Sequence, residues 1–261
     1  MYNKIKRIFE ENKKRQELKK ICLVAEELLE INTEAETHPI YLLIKELVDL
    51  EYNKVIYKTI STHDDHKVPQ FSSNNLLPYE EKKYGNYLYE NFYGEQITFG
   101  KLVDQNRVST KESILLGKDP IIARPWNIWR LTRAMDNIQD KWIQDNNHQV
   151  TLWLPYGVTF VSSGNHSITV GHLRNTGSVT TDDIYNVGDI HDYIYTDGIY
   201  YFRKSDDSIC AEVTNFNLAV VFAIGGLIHK KRFSGEGNIN FHGQNVNHIL
   251  TDISHKISLV D

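Results

Sequence analysis

The sequence predicts an α+β protein, with a mainly helical N-terminal region over residues 1–105 and a mixed α/β core with a C-terminal extension over 106–261. Three observations predict it. Apolar residues recur at three- and four-residue steps through the first sixty positions, the period of a helix with one buried face. From about residue 111, short runs rich in β-branched and aromatic residues alternate with helical patterns. Near the end, "LAVVFAIGGLI" at 218–228 is apolar on all sides, as a buried helix is, and falls well short of the roughly twenty residues that span a membrane.

Residues 3–31 read as the first helix, with Ile5, Ile8, Phe9, Leu18, Ile21, Cys22, Ala25, Leu28 and Leu29 spaced among charges. After Pro39 a second helix places Ile40, Leu43, Ile44, Leu47 and Val48 on one face and runs to about Ile60. The pair forms an N-terminal layer or a hairpin for a partner protein. "STHDDHKVPQFSSNNLLP", from 61 onward, concentrates turn formers and reads as a long loop or linker. The aromatic-dense "EEKKYGNYLYENFYGEQITFG" fits helix and strand equally.

In the core, "DPIIARPWN" reads as a short strand ending at Pro125, and "IWRLTRAMDNIQDKWI" as a helix capped by Asn127. "QVTLWLPYGVTFVSS" supplies two strands around Pro155-Tyr156-Gly157, and Asn175-Thr176-Gly177 a later helix stop. "YIYTDGIYYFRK" predicts a hairpin with a type I′ turn at Asp197-Gly198. The helix near 216–231 ends in His229, Lys230, Lys231 and Arg232, charges that suit its C-terminus. "VNHILTDISHKI" closes the chain with weak periodicity.

A net charge of −5 argues against broad, sequence-blind binding to nucleic acid. The first twenty residues are locally basic, with eight Lys or Arg against three Glu, so a DNA-binding face there stays open. Cys22 and Cys210 are the only cysteines, far apart and outside any CxxC, which excludes a disulfide scaffold and suits a reducing cytoplasm. The start of the chain does not read as a signal peptide. No Walker A, dinucleotide glycine fingerprint, HExxH or GxSxG segment occurs.

The segment "VSSGNHSITVGHL" at 161–173 has the order strand, Gly-x-x-Ser, helix. Unpaired N–H groups and the dipole at such a helix start attract phosphate or carboxylate. Gly164 would admit a ligand to the backbone, Asn165, His166 and Ser167 could donate to it, and His166 could transfer a proton. The same residues could equally cap the helix and form its turn.

"DPIIARPWNIWRLTRAMDNI" followed by "VTLWLPYGVTFVSSGNHSITVGHL" resembles the core of the ParB/sulfiredoxin superfamily, over about residues 111–180. It is more closely similar to a bacterial family of unknown function that carries a GNHSI segment. The superfamily's Gly-x-x-Arg corner contacts nucleotide phosphates. Carried over, Gly164 matches the Gly, Asn165 and His166 the middle positions, and Ser167 the Arg. A neutral hydroxyl cannot replace the cationic fork, so phosphate would need Arg124, Arg130 or Arg174. The resemblance implies that Pro125, Trp126, Asn127 and Arg130 lie beside the corner, with Trp126 to stack on a base, and that ATP or CTP with Mg²⁺ is the ligand. Without it, Trp126 and Trp129 read as core residues. A sulfiredoxin-type Cys is absent, which argues against reduction of oxidised cysteine.

"HDDH" at 63–66 and "DIHD" at 189–192 gather metal-ligand types, but such runs are ordinarily solvated turns, so no metal site is expected. Proximity of "DIHD" to His166 or His172 would change that. The leading expectation is a cytoplasmic bacterial nucleotide- or phosphate-binding protein with NTP-hydrolase or nuclease activity, His166 moving the proton, in a role such as phage defence. The alternatives are a non-catalytic scaffold whose N-terminal helices bind a partner protein, and a DNA-binding protein.

Overall fold

The computed structural model describes residues 2–62, 64–233, 239–242 and 244–245, and the periodic segment at 246–257 lies outside them. Two long helices come first, α1 (Tyr2–Leu29) and α2 (Ile40–Ser61). The core then runs β1 (Arg107–Val108), β2 (Glu112–Leu115), β3 (Ile121–Ile122), α3 (Ile128–Asn137), β4 (Gln149–Leu154), β5 (Val158–Ser163) and α4 (Asn165–Leu173). It continues with β6 (Ser178–Thr181), β7 (Ile184–Asn186), β8 (Ile194–Thr196), β9 (Tyr200–Arg203), β10 (Ile209–Glu212) and α5 (Phe216–Phe233). The class is α+β, with helices at the N-terminal end and a helix after the last large sheet.

The main sheet has the order β1-β7-β4-β5-β3. β4 and β5 form its antiparallel centre, with Leu152 opposite Thr159, while β3 runs parallel to β5 and β7 parallel to β4. Val150, Leu152, Trp153 and Leu154 of β4, with Val158, Thr159 and Phe160 of β5, are all buried, which accounts for their near-continuous apolar sequence. β2 pairs with β6, and β8-β9-β10 form a separate antiparallel sheet.

α2 lies over β3 and β5, and α5 lies against α1 and α2. The buried α2 positions Ile40, Ile44, Leu47, Val48, Tyr52 and Val55 follow the helical period that the sequence displays. α5 buries Leu218, Val220, Val221, Phe222, Ile224 and Ile228, while Ala223, Gly226, Leu227 and Lys230 share a less buried face. Residues from both sides of position 105 share one hydrophobic cluster. No described helix is long and apolar enough to cross a membrane.

Two expectations need correction. Of the two readings of 61–80, the long loop holds and the linker does not, because the segment is a docked strap: Val68, Leu76 and Leu77 are buried, and the Tyr201 hydroxyl donates to the Leu76 carbonyl at 3.2 Å. Its turn formers make two single helical turns, Asp65–Lys67 and Ser73–Leu76. The β8–β9 turn is also shifted by one residue. Asp197 N–H donates to the Tyr200 carbonyl, so Gly198 and Ile199 are the central pair, and only Gly198 has positive φ. That is the type II′ pattern. Asp197 serves the turn through its carboxylate, which accepts from the N–H groups of Ile199 and Tyr200, both at 2.8 Å.

Candidate functional site

The corner after β5 forms where the sequence places it. Gly164, at φ +79°, turns the chain from the sheet into α4. A Cβ there would stand 2.5 Å from Cδ2 of His148 and 3.0 Å from the Asn147 carbonyl oxygen. The glycine is therefore required by the 145–148 turn packed against it as well as by its own dihedral.

That turn forms a clasp around Ser167. His148 Nδ1 accepts the Asp145 N–H at 2.8 Å, while its Nε2 meets Ser167 Oγ at 2.5 Å. The Asp145 carboxylate lies 3.0 Å from the same Nδ1, but a backbone N–H can only donate. We therefore assign the proton to Nε2, which donates to Ser167, while the Ser167 hydroxyl donates to the Gly164 carbonyl at 3.0 Å. Burial holds His148 below the ordinary histidine range, so the ring is neutral. Trp142 lies 4.6 Å from the His148 ring and donates its indole N–H to the Ser167 carbonyl at 2.8 Å. Ser167 thus spends its hydroxyl on hydrogen bonds within the protein.

Asn165 and Arg124 also bond within the protein. The buried Asn165 side chain accepts the Arg124 backbone N–H at 2.5 Å, and the Arg124 guanidinium donates to the carbonyls of Asp65 and Val68 at 2.8 and 3.2 Å. These bonds tie the end of β3, the start of α4 and the strap together. Arg174 reaches the Met135 carbonyl at 3.5 Å from the other end of α4, away from the corner.

The remaining residues converge. The Asn127 side chain caps α3 by accepting the Arg130 N–H at 3.0 Å, which sets Arg130 on the first turn of that helix. Its guanidinium lies 5.8 Å from the Trp126 ring, and that ring meets the His166 ring edge-on at 4.5 Å. His166 Nε2 accepts the Asn127 N–H at 3.3 Å, leaving the proton on Nδ1. Burial, aided by the Arg130 charge, lowers the His166 pKa to about 4. His166 is therefore neutral near pH 7 with its lone pair already engaged, which suits a hydrogen-bond donor better than a general base. Trp126 is half-buried, whereas Trp129, expected in the core, is 69% exposed.

These histidines carry a pH signature. Burial lowers His38, His148, His166, His172 and His191. The unfolded chain binds protons at these sites near pH 6.5, before the folded chain does, so stability must fall as pH drops from about 7 toward 4. His242 works in the opposite sense: burial lowers it, but the hydrogen bond and charge of Asp119 outweigh that. We expect a lower melting temperature at pH 5 than at pH 7, with His166 titrating near 4 by NMR. An unchanged melting temperature across that interval would contradict the assignment.

The two acidic runs differ. Asp64 of "HDDH" accepts the His66 N–H at 3.1 Å and caps a turn, while His63 lies outside the described residues. Asp192 of "DIHD" instead meets His229 of α5 at 3.0 Å. On α1, Arg7 pairs with Glu11, and Arg15 with Asp197, each at 2.7 Å, so part of the basic face is neutralised. The sequence reading missed His148 and Trp142, since nothing in "KWIQDNNHQV" announces that its turn folds back onto Ser167.

No curated protein and no solved structure matches this sequence. One family model does, and its match covers the N-terminal helices, the corner and α5 alike, from residue 3 to residue 234. The chain thus belongs to the family described as "Family of unknown function (DUF6710)".

Proposed function

We propose that the chain is a cytoplasmic nucleotide-binding protein that takes the phosphates of ATP or CTP, with Mg²⁺, at the start of α4. The carrying observation is Arg130, whose guanidinium stands by the Trp126 ring next to His166 in the first turn of that helix. Arg130 supplies the charge that Ser167 lacks, the first N–H groups of α4 supply donors, and Trp126 supplies a face for a base. His166 donates through Nδ1. This reading favours binding over hydrolysis or nuclease action, because the one imidazole in the group is engaged and weakly basic.

Thermal-shift titration with ATP, CTP, GTP and ADP, with and without Mg²⁺, tests it. A bound nucleotide raises the melting temperature by mass action. Arg130 is exposed, so Arg130→Gln should leave the fold intact and weaken binding by about tenfold to a hundredfold, the worth of a charged hydrogen bond. Absence of any shift at millimolar nucleotide, or an equal shift in Arg130→Gln, overturns the proposal.

A second reading rests on α1, where Ile5, Ile8 and Phe9 are 61%, 48% and 71% exposed at helical spacing. Such a strip suits a partner protein. Replacing the three with Gln would abolish partner capture on that reading and leave nucleotide binding unchanged on the first.

A further inference from the structure

We propose that Asp189, Asp192 and His229 form a binding site for a divalent transition-metal ion, separate from the Gly164 corner. The three come from two elements. Asp189 precedes the single turn Ile190–Tyr193, with no side-chain bond to it, and Asp192 stands three residues on, so the two carboxylates share one side. His229 faces them from α5. All three ligand atoms lie within 4.8 Å of one another.

Bonds of about 2.0–2.2 Å at tetrahedral or octahedral angles put neighbouring ligand atoms about 3.0–3.5 Å apart. His229 Nε2 and Asp192 Oδ1, at 3.0 Å, already have that spacing. Asp189 is exposed and can rotate to complete the set.

The imidazole separates this cluster from ordinary surface carboxylate pairs. His229 is 5% exposed and directed at the two acids, so packing in α5 fixes its orientation before any ion arrives. Gly188 brings the turn close, since a Cβ there would lie 3.2 Å from His229 Nδ1. One nitrogen and two carboxylates suit Zn²⁺ or Mn²⁺ better than Ca²⁺ or Mg²⁺, which prefer all-oxygen shells. The two carboxylates also balance a dication.

Asp192 and His229 line a cavity of about 490 Å³. Lys204 and Lys230 line it as well, and the Lys204 ammonium is held on the His191 carbonyl at 2.6 Å. Three protein ligands would leave coordination positions open to that cavity, as in a metal centre that binds water or a small ligand.

The test is calorimetric titration of the full, chelator-treated chain with Zn²⁺, with Mn²⁺ and Mg²⁺ as comparisons. We expect one Zn²⁺ per chain and much weaker Mg²⁺ binding. His229→Gln should weaken Zn²⁺ by about tenfold or more. The double variant Asp189→Asn with Asp192→Asn changes only exposed groups, so it carries the same test if His229→Gln fails to fold. His66→Ala, which alters the rival acidic run, should leave Zn²⁺ affinity unchanged. No Zn²⁺ uptake at about 100 µM, or equal affinity in the double variant, overturns the site.

Discussion

Gly164→Ala is expected to lower stability by about 2–5 kcal/mol, the sum of a left-handed backbone and an overpacked contact. The backbone at φ +79° costs an alanine about 1–2 kcal/mol. Its Cβ would also meet His148 Cδ2 at 2.5 Å, the Asn147 carbonyl oxygen at 3.0 Å and His148 Cα at 3.1 Å. Two of those atoms are backbone, so no rotamer change relieves them. The imidazole is held in turn by Ser167 and Trp142. Overpacking of this kind costs about 1–3 kcal/mol. Urea denaturation measures the sum, and a loss below about 1 kcal/mol would show that the 145–148 turn yields easily. The consequence for function is practical. A Gly164→Ala variant that failed to bind nucleotide would report a damaged corner, so Arg130→Gln is the substitution that addresses the ligand.

Arg203→Ala should cost about 3–5 kcal/mol, because it deletes a buried cation on which several carbonyls depend. Arg203 is 4% exposed on β9. Its guanidinium donates to the carbonyls of Tyr84 and Tyr87, both at 2.7 Å, and to Ser208 Oγ and the Ile209 carbonyl at 3.0 and 3.1 Å. It also lies 4.1 Å from the Tyr87 ring. One planar fork therefore joins the 82–88 segment to the β8-β9-β10 sheet. Alanine would leave these acceptors without their donor, and each such loss costs about 1–3 kcal/mol where water cannot replace it. Arg203→Lys keeps the charge but not the fork, so it should recover less than half of the loss. Chemical denaturation of the three proteins decides this, and wild-type stability in Arg203→Ala would refute the bridging role.

Arg203 also shows why part of the fold could be read from the sequence and part could not. Its neighbours in "YIYTDGIYYFRK" announce a hairpin, because β-branched and aromatic alternation around a glycine is a local signal. Its attachment to Tyr84 and Tyr87, more than a hundred residues earlier, has no local signal, and "EEKKYGNYLYENFYG" accordingly fitted helix and strand alike. The 61–80 strap follows the same rule: its turn formers are legible, but its docking depends on Val68, Leu76 and Leu77 finding cover elsewhere.

Neighbouring residues along the chain are enough to read the α+β class, the two N-terminal helices, the Asn127 cap, an apolar helix near 216–231 and the strand–glycine–helix corner at 164. Each depends on hydrophobic period, capping or φ, which are properties of neighbours along the chain. Only the tertiary structure decided what the corner residues do. It enclosed Ser167 with His148 and Trp142, assigned Arg124 and Asn165 to holding the strap, sent Arg174 to the far end of α4, and left Arg130 beside Trp126 and His166. It likewise brought His229 to Asp192 across 37 positions. Hydrogen-bond partners are set by distance in space, and residues of the same type at similar spacing receive opposite roles once the chain has folded around them.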